Sequence, residues 1–188
     1  MLMQDSFAFV SGVANHRSIA WAIAKSLDAQ GARLALSYLS EKEKYNIEKI
    51  SDELSQTPLL IPCEATNDDS VSAAFEKVGS EFGRLDACVH SVAFARREDL
   101  EDGKFLSVEQ KNYELALSVS AYSLNSMARG AVPLMSNGGS IVAMTYLGSV
   151  RAIPRYNIMG VAKAALESGV RYLARELGSN NIRVNAVS

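Results

Sequence analysis

The sequence is short of the residues that several functional classes need. Its 188 residues contain two cysteines, two histidines and four prolines, and 19 basic residues stand against 21 acidic ones. Without a basic excess to neutralise phosphates, nucleic acid is not an expected partner. Two cysteines and two well-separated histidines do not readily supply the ligands of a metal site. No apolar run approaches the length that spans a bilayer, so no membrane segment is expected.

The first residues and the two cysteines indicate the compartment. Residues 1–5 lack the basic and apolar regions of a secretory signal. Cys63 and Cys88 lie in or beside apolar runs, where each is interpreted as a small buried hydrophobic residue. We therefore expect a reduced, cytoplasmic protein.

Short apolar runs alternate with amphipathic segments of helix length along the whole chain. Strands are predicted at 7–10, 34–38, 59–61, 85–90, 140–144 and 183–187. Helices are predicted at 19–30, 41–55, 68–82 (capped by Asp68 or Asp69), 108–129 and 157–177, the last closed by Gly178. This alternation predicts an α/β fold, a Rossmann-type doubly wound parallel sheet in three α/β/α layers, with strand order 3-2-1-4-5-6. A single domain over residues 1–188 is expected.

The loop after the first strand is the first candidate binding site. In such a sheet, ligands bind beyond the carboxyl ends of the strands, where the strand order reverses. Gly12 permits a tight turn and close approach of the backbone to a pyrophosphate. Ser18 is placed to cap the helix that begins at Ile19, and its hydroxyl could also reach a phosphate. Because the loop has one glycine rather than the G-x-G-x-x-G pattern, a plain capped turn remains an alternative.

The ends of strands two to four extend this candidate site. No acid stands at the tip of strand two for a ribose hydroxyl and no arginine for a 2′-phosphate, and Glu41 and Lys42 follow with opposite charges. Glu64, after strand three, could accept an adenine amino proton or be a solvated loop carboxylate. After strand four, Val92 and its small neighbours let the backbone lie against a cofactor, and His90 is interpreted as buried and hydrogen-bonded.

Two tyrosines and a lysine form the candidate catalytic group. Tyr146 closely follows strand five, Tyr156 begins the next helix, and Lys163 lies two turns later on roughly the same face. Hydride delivery to an unsaturated thioester builds negative charge on its carbonyl oxygen, to which a phenol can donate a hydrogen bond or a proton. A nearby ammonium is expected to lower the pKa of the phenol and to hold the nicotinamide ribose. The alternative is an aromatic pair packed in a loop beside a solvated lysine.

Together these segments resemble the enoyl-[acyl-carrier-protein] reductases of bacterial type II fatty acid synthesis, a divergent branch of the short-chain dehydrogenase/reductases. The matching segments run through the whole chain and are Ser11–Ala14, Ser18–Ala20, His90–Ala95, Ser120–Ser123, Tyr146–Gly148, Arg151–Lys163 and Asn181–Val187. The spacing from Tyr156 to Lys163 is typical of this branch. Ordinary members of the superfamily place a lysine where this chain has Gly160, and a serine where it has Thr145 and Tyr146.

The resemblance implies reduction of the trans-2 double bond of enoyl-acyl-carrier-protein thioesters in fatty acid elongation. It implies that Tyr156 stabilises or protonates the enolate oxygen, that Tyr146 lies near the substrate carbonyl, and that Lys163 binds the nicotinamide ribose. Further positions that match cofactor contacts are Gly12, Ser18, Ile19, Glu64, Ala65 and Val92. Ala95 matches a substrate contact. Leu39 falls where the family tunes NADH against NADPH, and because it is neither basic nor followed by arginine, NADH is favoured with NADPH possible.

The resemblance also implies partners. These are an acyl carrier protein that bears the substrate, and a homotetramer in which the helices at 108–129 and 157–177 pair across interfaces. Both helices are too apolar for one buried face, although they could be core helices of a monomer. Family members continue for several dozen residues past the position of Ser188, so a C-terminal part with nicotinamide contacts, a mobile loop and the last strand is expected to be missing. A carbonyl (3-oxoacyl) reductase and a non-catalytic dinucleotide-binding protein remain the alternative functions.

Overall fold

A six-stranded parallel sheet forms the centre of the computed structural model, which describes all residues from Met1 to Ser188. The strands are β1 (Phe7–Val10), β2 (Arg33–Tyr38), β3 (Leu59–Pro62), β4 (Ala87–His90), β5 (Gly139–Met144) and β6 (Ile182–Val187). Their order is β3-β2-β1-β4-β5-β6, and every neighbouring pair is parallel. The predicted doubly wound Rossmann-type sheet and its strand order are confirmed.

Helices cover both faces of the sheet. They are α1 (Ile19–Ala29), α2 (Glu41–Ile50), α3 (Asp68–Phe82), α4 (Gln110–Leu117), α5 (Ser123–Ala131) and α6 (Asn157–Leu177). Because side chains alternate across a strand, Phe9 packs with α3, α5 and α6, while Ala8 and Val10 pack with α1 and α2. Both faces of the strands are thus buried, as expected of a parallel sheet in three layers. No helix is long and apolar enough to cross a membrane.

One predicted helix start is wrong in detail. Asn67, and not Asp68 or Asp69, caps α3, because its side chain accepts a hydrogen bond from a first-turn amide. The two aspartates instead occupy the first turn, where their charge interacts favourably with the helix dipole. At the end of α6, Gly178 is the C-cap as predicted. It keeps a right-handed φ of −59°, and Asn181 makes the left-handed turn into β6 with a φ of 58°.

The helix predicted at 108–129 is interrupted. A π-helical turn at Ser118–Tyr122 separates α4 from α5. Ser123 Oγ donates to a carbonyl one turn earlier at 2.6 Å, which is the competition for backbone groups that lets serine distort a helix. Ser120 Oγ in the same turn accepts a hydrogen bond from the Phe94 amide at 3.0 Å. The π turn therefore anchors the loop that follows β4, and such turns are frequent at functional sites.

Candidate active site

A crevice of about 420 Å³ opens at the carboxyl ends of β1 to β4. It lies where the strand order reverses between β1 and β4, which is where open α/β sheets bind their ligands. Five of the residues predicted to bind cofactor line it, namely Gly12, Leu39, Glu64, Ala65 and Val92. The sheet thus brings together residues that are up to 80 positions apart in the sequence, Gly12 and Val92.

Gly12 is the point at which the loops after β1 and β4 touch. Its φ is 91°, and a Cβ there would overlap the carbonyl oxygen of Ser91 and stand 2.7 Å from the carbonyl carbon. Ser11 joins the same two segments, since its hydroxyl donates to the Val89 carbonyl at 2.9 Å and accepts from the Ser91 amide at 3.3 Å. Only glycine fits the contact, so the floor of the crevice depends on Gly12.

Ser18 is the N-cap residue of α1 as predicted, but its side chain does not cap the helix. Ser18 precedes α1, but its hydroxyl accepts hydrogen bonds from the Ala14 and Asn15 amides, both at 3.0 Å, instead of capping the helix. The two acceptor positions of the hydroxyl are therefore filled, and its proton remains free to donate. The amides of Ile19 and Ala20 have no acceptor within the chain. Although Ser18 and Ile19 do not line the crevice, they present donors suited to an anion beside it.

Sequence reasoning missed one acidic group in the crevice. Glu43, in the first turn of α2, lines the crevice, and its Oε2 accepts a hydrogen bond from the Leu39 amide at 2.7 Å. Ser40 in turn accepts from the Glu43 amide at 3.3 Å. The Ser-x-x-Glu spacing of a capping box was the signal that could have revealed this arrangement. The tip of β2, where no acid was expected, thus carries a carboxylate.

Tyr146 and Tyr156 are in direct contact, as an edge-to-face pair. Their ring centroids are 4.8 Å apart and the rings are inclined by 64°. Tyr156 is half-buried, and Tyr146 is 43% exposed. The backbone of Gly148 packs against the Tyr156 ring so closely that a Cβ would stand 2.7 Å from its Cε1. The glycine therefore helps to fix the orientation of the phenol.

Gly160 explains the spacing between the tyrosine and the lysine. A Cβ at this position of α6 would stand 2.8 Å from the Gly148 carbonyl oxygen. Any side chain here would push away the turn that supports Tyr156. The lysine of ordinary short-chain dehydrogenases, which falls at this position, is therefore incompatible with the observed packing.

Substitution of Gly148 by alanine should displace the Tyr156 ring. The added methyl group would overlap the ring edge. Because Tyr156 belongs to the catalytic group predicted from the sequence, we expect a fall in kcat of about tenfold or more, since a small misplacement of such a group has a large effect on rate. Steady-state kinetics with the enoyl thioester predicted as substrate measure it. The matched control is Gly178→Ala, where nothing lies within 4 Å of the new methyl group. An unchanged kcat for Gly148→Ala would show that the ring position is not critical.

Lys163 is held at the carboxyl edge of β5. Its side chain is buried, with 5% of the residue exposed, and Nζ donates to the Met144 carbonyl at 2.7 Å. Burial lowers the pKa of Lys163, and the charge of Glu167 one turn later raises it. Glu167 also accepts a hydrogen bond from Thr145 Oγ1 at 2.7 Å. The register of β4 and β5 pairs His90 with Ala143, so Met144 lies level with the Ser91 loop of the crevice.

The expected effect of Lys163 on the Tyr156 phenol is wrong for this conformation. Burial raises the pKa of Tyr156, and the neighbouring Tyr146 raises it further. The lysine makes no hydrogen bond to the phenol, because its amine is directed to the Met144 carbonyl. Tyr156 consequently keeps its proton at neutral pH and is a hydrogen-bond donor.

His90 and the two cysteines have structural positions. His90 is fully buried and its Nε2 lies 2.7 Å from Ser123 Oγ. Burial, followed by the charge of Lys163, lowers the pKa of His90 to about 3, so the ring is neutral. Cys63 and Cys88 are free and buried, and burial raises their pKa values to about 11 and about 12. The interpretation of all three as buried structural residues is confirmed.

A second cavity of about 510 Å³ borders the Tyr156 side chain. It is bounded mostly by apolar residues of the segment before α6 and of α6 itself, with Phe105 opposite. Ala95, the predicted substrate contact, lines neither this cavity nor the crevice, although it directly follows the crevice residue Phe94. Tyr156 therefore has a largely apolar space on one side.

The sheet order, the glycine contact at its switch point and the unpaired donors before α1 define a dinucleotide-binding protein. Tyr156, directly before α6, and Lys163, within α6, lie at the same edge and indicate a reductase of the short-chain dehydrogenase type. Comparison with known proteins then identifies the family. The model of the family described as enoyl-(acyl carrier protein) reductase matches residues 12–188, and the chain belongs to that family.

Individual relatives agree with this assignment. The chain is 48% identical to an enoyl-[acyl-carrier-protein] reductase [NADH] of Nostoc sp., over 96% of this chain and 70% of that protein. It is 46% identical to an enoyl-[acyl-carrier-protein] reductase [NADPH] of Staphylococcus aureus, over 99% and 73%. The crystal structure of the Bacillus cereus enoyl-acyl carrier protein reductase with NADP⁺ and indole naphthyridinone superposes with a TM-score of 0.96 at 45% identity, over all of this chain and 73% of that one.

Proposed function

We propose that Tyr156, Tyr146 and Lys163 are the catalytic residues of this enoyl-[acyl-carrier-protein] reductase. The enzyme reduces the trans-2 double bond of an acyl-carrier-protein thioester with NADH or NADPH. The observation that carries the residue assignment is the Tyr146–Tyr156 contact on the same edge of the sheet as the buried Lys163 amine. That edge also carries the crevice, so the three side chains belong to the ligand-binding side of the fold.

The crevice suits the nucleotide part of the cofactor. The Ser18 hydroxyl proton and the free Ile19 amide would donate to the diphosphate at the positive end of α1. Glu64 and Ala65 would border the adenine, and Val92 would border the nicotinamide side of the cofactor. Leu39 would lie at the adenosine ribose. When bound, the reduced nicotinamide supplies a hydride to the enoyl double bond.

The protonated phenol of Tyr156 is suited to receive the developing charge. Because burial and Tyr146 raise the pKa of Tyr156, the phenol can donate to a thioester carbonyl oxygen at neutral pH. Tyr146 contacts the Tyr156 ring edge-to-face, and 43% of Tyr146 is exposed. Lys163 uses one of its three protons on the Met144 carbonyl, which leaves two for ribose hydroxyls.

The test of the function is a comparison of two thioesters. The full-length protein is incubated with NADH or NADPH and either crotonyl or acetoacetyl thioester, and loss of the reduced nicotinamide is followed. We expect turnover of the crotonyl substrate. Consumption of the keto substrate alone would indicate a carbonyl reductase, and cofactor binding without turnover of either would indicate a non-catalytic protein.

The charge of Glu167 is expected to influence the pH dependence of the reaction. Since burial lowers the pKa of Lys163 and Glu167 raises it, Glu167→Gln should lower the pKa further. Activity that needs the Lys163 ammonium is lost as the pH rises through this pKa. The alkaline limb of the pH profile of kcat/KM should therefore lie at lower pH in the variant. The glutamine oxygen can still accept from Thr145. Glu176→Gln, an exposed change on the same helix, is the control, and an unmoved limb in Glu167→Gln would contradict the coupling.

The partners follow from the same assignment. We infer that an acyl carrier protein presents the substrate, that the enzyme works in the cytoplasm, and that it forms a homotetramer. Ala164, Ala165 and Tyr172 support the last inference, because all three are exposed on α6 and Tyr172 is 70% exposed. Small exposed residues let two such helices approach closely.

Arginine at Ala165 should disrupt the proposed assembly. A long charged side chain at this position would prevent close packing of two α6 helices, and an unpaired buried charge is strongly unfavourable. Light scattering after gel filtration is expected to give four chain masses for the unmodified protein and a smaller assembly for Ala165→Arg. Ala73→Arg is the control, since Ala73 is exposed on α3. A monomeric unmodified protein would refute the tetramer.

A further inference from the structure

The carboxylate of Glu43 is an acidic group inside the nucleotide crevice. It belongs to the first turn of α2, yet it lies at the tip of β2, because Oε2 accepts a hydrogen bond from the Leu39 amide at 2.7 Å. Its neighbours in the crevice wall include Gly12 and Tyr38. The other oxygen, Oε1, makes no hydrogen bond within the chain and is free to accept one.

Further contacts hold the first turns of α2 in this position. Ser40 caps the helix by accepting from the Glu43 amide. Asn46, three residues after Glu43 and therefore on the same helix face, donates from Nδ2 to the Ala14 carbonyl at 3.1 Å. This bond joins α2 to the loop after β1. The face of α2 that bears Glu43 is thus directed toward the loop proposed to bind the diphosphate.

No cation lines the crevice beside Glu43. Lys44 is 3.9 Å from Glu41 and lies 6.0 Å from the centre of the Tyr38 ring. Lys42 and Arg17 are exposed, and neither belongs to the residues that line the crevice. The charged side chains that line the crevice are therefore both carboxylates, Glu43 and Glu64, and Glu43 is the one at the tip of β2.

We propose that Glu43 makes this enzyme select NADH over NADPH. This inference rests on the proposed function and names the group that discriminates between the two cofactors. An acid at the end of the second strand can accept a hydrogen bond from the adenosine ribose hydroxyls of NADH. The 2′-phosphate of NADPH would bring like charge against the same carboxylate, which is unfavourable where the wall is partly desolvated. Relatives of similar identity are named for either cofactor, so family membership does not decide the choice.

The cofactor ratio of the Glu43→Gln variant tests the proposal. Glutamine keeps the shape and can still accept from the Leu39 amide, but it removes the charge. We expect the full-length unmodified protein to prefer NADH in kcat/KM, and the preference to fall about tenfold in the variant, mainly through a lower KM for NADPH. Glu43→Lys should move the ratio further toward NADPH. Glu41→Gln is the matched control, because Glu41 is in the same turn but outside the crevice wall, and its ratio should not change.

Direct binding separates failure of this inference from failure of the proposed function. The protein is titrated with NADH and, separately, with NADPH while the nicotinamide fluorescence is followed. The two titrations give the two Kd values without any turnover. The protein could show no turnover and still bind NADH more tightly than NADPH, with a smaller difference between the two Kd values in Glu43→Gln. That result would reject the catalytic assignment and retain the role of Glu43. An unmodified protein that prefers NADPH, or a Glu43→Gln ratio equal to that of Glu41→Gln, would overturn the inference. Thermal unfolding of each variant checks that the fold is intact.

Discussion

Replacement of Tyr156 by phenylalanine is expected to reduce kcat for a crotonyl thioester about 10²- to 10³-fold, with binding of NADH retained. The phenyl ring preserves the contact with Tyr146 and the packing against Gly148, so the local structure should not change. Only the hydroxyl is lost, and with it the donor to the carbonyl oxygen on which charge develops. Steady-state kinetics give kcat, and fluorescence titration gives the Kd of the cofactor.

Tyr45→Phe is the control for Tyr156→Phe. Tyr45 lies on α2, outside the proposed subunit contact, with 56% of its surface exposed, and its hydroxyl has no hydrogen-bond partner within the chain. This variant should keep full activity. Equal activity of the two variants would remove Tyr156 from the chemical step. A parallel loss of cofactor binding in Tyr156→Phe would instead show that the residue has a binding role.

Replacement of Gly12 by alanine should have the largest effect on stability and should also abolish cofactor binding. The methyl group would overlap the Ser91 carbonyl, and alanine is strained at a φ of 91°. Together, the strain and the overlap should lower the free energy of unfolding by about 2–4 kcal/mol. Urea denaturation measures this loss. The loops after β1 and β4 must separate to accommodate the methyl group, which changes the shape of the crevice floor.

Gly83→Ala separates the two causes. Gly83 also has a positive φ, of 73°, but nothing lies within 4 Å of an added methyl group. Its substitution should therefore lower the free energy of unfolding only by the cost of placing alanine at a positive φ, about 1–2 kcal/mol. The difference between the two variants measures the overlap with the Ser91 carbonyl. If both variants lost the same stability, the close contact at Gly12 would not be significant.

Elements governed by local periodicity were predicted well from the sequence. The bounds of α6, Asn157–Leu177, match the prediction, and β1 matches at both ends. Gly31, directly after the helix predicted at 19–30, has a φ of 97°, and the Gly31 and Ala32 amides donate to the Asp28 and Leu27 carbonyls at the helix end. Each of these features depends on residues close in the chain, so the pattern was sufficient to reveal them.

Side-chain partners in the site were predicted less well. Ser18 was expected to cap α1, but its hydroxyl bonds to the preceding loop. Lys163 was expected to lower the pKa of Tyr156, but its amine bonds to the Met144 carbonyl and burial raises that pKa. Glu43 was not considered at all, although it lines the crevice. A side chain with several partners within reach chooses among them by three-dimensional position, which spacing along the chain does not encode.

The sequence by itself determined the alternation of strands and helices, the strand order, and the presence of two tyrosines and a lysine near the carboxyl edge of the sheet. Periodicity and right-handed crossovers are enough for these features. The tertiary structure alone decided that Gly12 meets Ser91, that Gly148 and Gly160 seat the Tyr156 ring, and that Glu43 reaches the tip of β2. These contacts join atoms from different segments of the chain. A shift of a few tenths of an ångström would break them, so only the packed chain establishes them.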